Sequence, residues 1–186
     1  MKARRPFHNC FVAAVLPIFL ALPLAAQEAG GVDDLFVRLK DADARAARRV
    51  EREIWNAWSK SGSPSADLLL QRGREAMRNG KTDEAIEHLT ALVDHAPDFA
   101  EGWNARATAY FQAGLFGPSV ADIAQVLRLE PRHFGALAGF GAILEATKRE
   151  KEAIEVYRSA LAIHPHLAGV SEALSRLERK QTGQDL

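Results

Sequence analysis

Cysteine is almost missing from this chain: Cys10 is the only one in 186 residues. No disulfide framework can therefore hold the fold, and its stability must come from packing. Charge of one sign is missing as well. The 24 Lys and Arg are matched by 24 Asp and Glu, which removes the basic excess that non-specific nucleic-acid binding requires. There is no glycine loop followed by Lys and Ser or Thr, no helix with paired metal-binding histidines and no nucleophile elbow. The "GFG" at Gly139 to Gly141 lacks the preceding strand that a dinucleotide site requires. The expectation is a protein that is not an enzyme, with no cofactor, no metal site and no small-molecule substrate.

Long apolar runs are also scarce, with one exception at the start. Lys2, Arg4 and Arg5 precede an apolar stretch from Phe11 to Leu24, which gives way to Ala25, Ala26 and polar Gln27. That layout is a secretory signal peptide over residues 1–26, cleaved near Ala26. The stretch reaches roughly 22 Å as a helix, short of the about 30 Å of a hydrocarbon core, and Pro17 and Pro23 interrupt it. The protein is expected to be exported, to the periplasm of a bacterial cell; a membrane anchor follows only if the signal stays uncleaved. Cleavage would remove three basic residues and no acidic ones, leaving a mildly acidic chain without cysteine.

What the sequence does have is a repeat. Pro97, Pro131 and Pro165 stand 34 residues apart, and that period brings other positions into columns. One column reads Leu69, Trp103, Leu137; the next Gly73, Ala107, Gly141; then Ala76, Tyr110, Leu144; Ala85, Ser119, Ala153; and Leu89, Ile123, Tyr157. Large apolar residues recur at helical spacing, and two columns are small in every copy. Each copy is thus a pair of antiparallel helices whose small positions let the axes approach, ended by a proline that cannot continue a helix. Gly80 and Gly114 sit where a helix end needs a left-handed residue, while Lys148 holds that place in the third copy and predicts a strained turn.

The pattern resembles the tetratricopeptide repeat (TPR) family, of an exported bacterial type. Repeat two carries it best, with Trp103, Ala107, Tyr110 and Pro131 in place. The resemblance implies an all-α fold, a short α-solenoid of three helix pairs at 66–99, 100–133 and 134–167. Residues 27–65 are expected to form an N-terminal helical segment and linker that covers the first repeat or is a degenerate fourth one. Residues 168–186 are expected to form a capping helix and tail, with Val170, Leu174 and Leu177 as its apolar stripe.

Several groups invite chemistry and are better explained otherwise. His95, His133, His164 and His166 lie beside the repeat-ending prolines and read as solvated loop residues, since successive turns are too far apart for joint coordination. Arg45, Arg48, Arg49 and Arg52 form a basic stripe that could meet an acidic partner or anionic headgroups, but a solvated helix face is the commoner explanation. Trp55 and Trp58, beside Val50 and Ile54, read as core.

The resemblance places a ligand-binding groove along the first helices of successive pairs. The groove residues it implies are Leu70, Arg74, Met77 and Arg78 from the first repeat, Asn104, Thr108 and Phe111 from the second, and Gly135, Ala138, Gly139 and Ala142 from the third. At the positions where some relatives capture a terminal carboxylate with Lys and Asn, only Arg74 could serve. The expected partner is a protein or peptide segment with a bulky apolar side toward the third repeat and an acid near Arg74 or Arg78. The rival reading is a self-associating module whose groove is filled by its own terminal helix or by a second copy.

Overall fold

The computed structural model describes residues 25–183, and the proposed signal lies outside them apart from its last two residues. The described residues form helices throughout: α1 Ala25–Asp41, α2 Ala44–Trp58, α3 Pro64–Arg78, α4 Thr82–His95, α5 Ala100–Gln112, α6 Phe116–Leu129, α7 Phe134–Ala146, α8 Glu150–Ile163 and α9 Ala168–Gln181. None of them is long and apolar enough to cross a membrane. The pairs α5/α6 and α7/α8 fall within the second and third repeats and α3/α4 within the first, except that α3 begins two residues before it, at Pro64; α9 caps the last by burying Val170 and Leu177 against Leu144, Tyr157 and Ala160.

Within the pairs, the small column works as a socket. A Cβ on Gly73 would lie 2.5 Å from Leu89, and one on Gly141 would strike the Tyr157 ring. The glycine thus faces the large residue of the partner helix, while the second small column seals the contact: Ser119 Oγ donates to the Ala107 carbonyl at 2.7 Å. Burial and the neighbouring Glu145 push the Tyr157 phenol up to about 12 from its ordinary 10.0. The folded chain therefore holds this proton more tightly than the unfolded chain, so the contribution is intact below pH 10 and is lost as pH rises towards 12. In a Tyr110→Phe background, phenolate absorbance from Tyr157 should rise with a midpoint well above 10; a midpoint at 10 would show the ring to be solvated.

The intra-pair turns place Gly80 and Gly114 at φ 72° and 73°, and Lys148 at φ 64°. A side chain in that left-handed region costs about 1 kcal/mol, so the strain expected of the third turn is present. Lys148→Gly should raise the unfolding free energy by about 1 kcal/mol in urea titrations; no gain, or a loss, would show that the lysine side chain compensates.

The N-terminal segment departs from expectation. The hairpin α1/α2 contributes no residue to the core of the first pair and is neither a cap on that pair nor a fourth member of the stack. It packs on the third pair instead. Phe36, Leu39, Ala47, Val50 and Ile54 join Phe134 in one core, with Trp55, Trp58, Ile163 and Leu167 against it. The reason is shape: the apolar stripe of α2 needs a partner, and the turns before α7 and α9 present Phe134, Ile163 and Leu167.

Candidate functional site: the concave groove and its N-terminal cover

The end of α2 lies over the entrance to the groove made by α3, α5 and α7. Trp58 stacks on His133, centroids 4.1 Å apart and rings 10° from parallel, and Trp55 meets Phe134 edge-on at 5.5 Å. A Cβ on Gly135 would fall 2.5 Å from the Trp55 ring. This glycine, read from the sequence as open groove surface, is therefore taken by the chain's own tryptophan.

Two of the histidines expected in solvent are fully buried under this cover, His133 and His164, both 0% exposed. His133 caps α7: its Nδ1 accepts the Ala136 N–H at 3.1 Å, which leaves the ring proton on Nε2, 3.1 Å from Glu101 Oε2. His164 Nε2 lies 3.3 Å from Glu51. His95 and His166 are exposed as expected, and the His166 ring donates to the Ala42 carbonyl at 2.9 Å. Among the described residues no group of three or more His, Cys, Asp or Glu is placed to hold a metal ion.

The groove cations and polar residues are largely spoken for. Arg74 pairs with Glu101, which is 3% exposed, and donates to Ser59 Oγ at 3.1 Å. Asn104 Nδ2 donates to the same Glu101 carboxylate at 3.1 Å. Arg74 is expected from the sequence to face an acidic ligand group; the buried Glu101 carboxylate, in the first turn of α5, has taken that role. Leu70 is also not groove surface, being 2% exposed within the core with Ala105 and Ala109. Met77 packs half-buried on that core, and Arg78 is exposed. Ala138 is half-buried against the core of the third pair.

What remains open is the far half of the groove. Asn104, Thr108, Phe111, Ile123 and Gly139 line a cleft of about 50 Å³ between α5 and α7. Phe111 is 37% exposed, its ring 5.7 Å from Phe116, and half-buried Ala142 lies one turn beyond Gly139 on α7. A Cβ at Gly139 would meet only Ile123, at an ordinary 3.8 Å. The cleft wall is apolar, with room for one small aliphatic side chain.

Paired helices in 34-residue register, stacked around one concave face, define an interaction solenoid. Residues 70–117 and 118–168 match the family model described as tetratricopeptide repeat. The chain is 35% identical over 153 residues to a TPR repeat-containing protein of Rhizobium etli, covering 82% of this chain and 75% of that one. It belongs to the tetratricopeptide repeat family. It is also 25% identical to Hsp70-Hsp90 organizing protein 1 of Glycine max, over 63% of this chain but only 21% of that protein. Among solved structures it is similar to the first TPR domain of Spaghetti (RPAP3) bound to the HSP90 peptide SRMEEVD, with a TM-score of 0.61 and 26% identity, over 64% of this chain and 95% of that one.

Proposed function

We propose that this protein is a non-catalytic interaction scaffold, exported to the cell envelope, that holds an apolar side chain of a partner protein in the open half of its groove. The observation that supports this most is the cleft over Gly139 beside half-exposed Phe111, an apolar socket that no residue of the repeats requires for packing. The peptide bound by the RPAP3 domain is acidic. Here the groove cation Arg74 is already neutralised by Glu101, which favours an apolar over an anionic ligand. Export rests on the N-terminal layout of residues 1–26, and N-terminal sequencing of the protein recovered from the envelope tests it: Met1 retained would refute cleavage.

Gly139→Leu tests the cleft, because a Cβ there meets only Ile123, at 3.8 Å, and the side chain projects from the residue that lines it; circular dichroism checks that the helices are kept. A photoreactive residue at Phe111 or Ala142 should crosslink a partner in the native envelope, and Gly139→Leu should reduce that yield at least tenfold, since a blocked pocket leaves the ligand side chain nowhere to go. An unchanged yield would remove the cleft over Gly139 from consideration. A second reading is favoured by the docked hairpin: the groove is in part filled by the chain's own N-terminal helices. Under that reading Gly139→Leu changes nothing, while loosening α2 exposes a binding face; the two readings thus predict opposite variants.

A further inference from the structure

Helix α2 has two faces. Ala47, Val50 and Ile54 are buried, while Arg45, Arg48, Arg49 and Arg52 are all exposed along the opposite side, at spacings of three and four residues. The stripe runs about 10 Å along the helix axis. Its neighbouring acids are engaged elsewhere. Asp43 caps the helix, accepting the Arg45 and Ala46 N–H groups at 2.9 and 2.8 Å, and these bonds hold its carboxyl below the ordinary range. Glu53 accepts from Arg38 at 2.9 Å and lies 3.9 Å from Arg49. Glu51 turns inward, 3.3 Å from His164 and accepting from Trp55 Nε1 at 3.4 Å. Arg45, Arg48 and Arg52 form no ion pair among the described residues. In a chain whose charges balance overall, four like charges on adjacent turns repel one another, offset inside the molecule by the long Arg49–Glu53 pair and by the charge of Asp43 near Arg48.

We propose that this stripe docks the protein on an anionic phospholipid bilayer surface. A protein partner held with useful affinity needs a desolvated apolar centre, and the outer face of α2 offers none: the other residues there are Ala44, Ala46, Asn56 and Glu53, whose carboxylate is engaged by Arg38. Attraction to an anionic bilayer needs no such centre, because it sums over the basic residues that reach the surface. Arg45, Arg48, Arg49 and Arg52 also line one open hollow of about 600 Å³, wide enough for phosphate headgroups to enter, and guanidinium groups bind phosphate oxygens in pairs. The inference is independent of the groove and of the side of the membrane on which the protein resides.

The test is cosedimentation of the full-length chain with vesicles of phosphatidylcholine alone and of phosphatidylcholine containing about 30% phosphatidylglycerol, at low salt and at about 0.5 M NaCl. The readout is the ratio of partition into anionic over neutral vesicles, measured in a Lys2→Gln/Arg4→Gln/Arg5→Gln background common to every sample, with the stripe wild type or varied, so that insertion by the apolar stretch at Phe11 to Leu24 cancels. Wild type at low salt should show a ratio of about ten or more. Arg45→Glu/Arg48→Glu/Arg52→Glu, with helicity confirmed by circular dichroism, should fall to about one, as should wild type at high salt. A wild-type ratio near one would overturn the proposal, as would a variant that keeps the wild-type ratio. Soluble polyglutamate that displaces the protein from vesicles at matched charge would also overturn it, by assigning the stripe to an acidic polypeptide.

Discussion

Arg106→Met is expected to lower the unfolding free energy by about 3 to 5 kcal/mol, a large share of the total for a domain of this size. The Arg106 fork gives Asp122 two hydrogen bonds, from Nε at 2.8 Å and Nη2 at 2.9 Å, and a third to Thr90 at 3.3 Å. It thereby ties α4, α5 and α6 together. Its guanidinium also lies 4.9 Å over the Trp103 ring and 5.6 Å from that of Tyr110. Asp122 is 4% exposed, so removing the arginine strands a carboxylate with neither water nor a counter-charge. The double variant Arg106→Met/Asp122→Leu removes both members, and it should recover more than half of the loss because an apolar pair needs no solvation. Urea unfolding of the two variants decides it. Equal losses in single and double variants would mean that the arginine acts through packing on Trp103 and Tyr110, and not through charge.

The helix register was legible in the sequence because its signals are local. Proline at 34-residue intervals, glycine at the intra-pair turns and the small columns each act within a few residues, and α3 to α9 lie where those signals put them. The strained Lys148 turn was legible for the same reason. The position of the hairpin was not. Val50, Ile54, Trp55 and Trp58 announce that α2 buries one face, but the surface they meet is 75 or more residues away, and periodicity carries no information about that pairing. The burial of His133 and His164 follows from the hairpin and was hidden with it. One clue was available: Gly135 is a bare groove position that no rule of the repeat requires, and α2 is a helix with two tryptophans and no partner of its own. The Arg74–Glu101 pair had a clue too, since both residues face the groove in adjacent repeats, one positive and one negative.

Trp58→Ala should release the hairpin from the groove. Truncating a large aromatic side chain in a packed site costs about 3 to 5 kcal/mol, and here it removes the His133 stacking together with contacts to Phe36 and Phe134 at 5.9 and 5.1 Å. What then holds α1/α2 is the Phe134 core with Phe36, Val50 and Ile54, the Trp55 ring on Phe134, and the polar contacts of Glu51 with His164 and Ala42 with His166. The Asp33–Arg132 ion pair is solvent-exposed and contributes little. The interface also buries two polar atoms without partners among the described residues, Trp58 Nε1 and His164 Nδ1, and each such atom weakens the docked state by about 1 to 3 kcal/mol. A solenoid transmits stability mainly between neighbours, so the loss should appear as local opening. Backbone amides of α2 should exchange with solvent at least about 100-fold faster, while those of α5, α6 and α8 keep most of their protection. Trp58→Phe is the control: it retains a ring over His133 and removes the unpaired indole N–H, so protection should stay within a few-fold of wild type. If Trp58→Ala instead accelerates exchange evenly across all the helices, the hairpin is an integral part of the cooperative fold, and the groove entrance beneath Trp55 is never uncovered without unfolding.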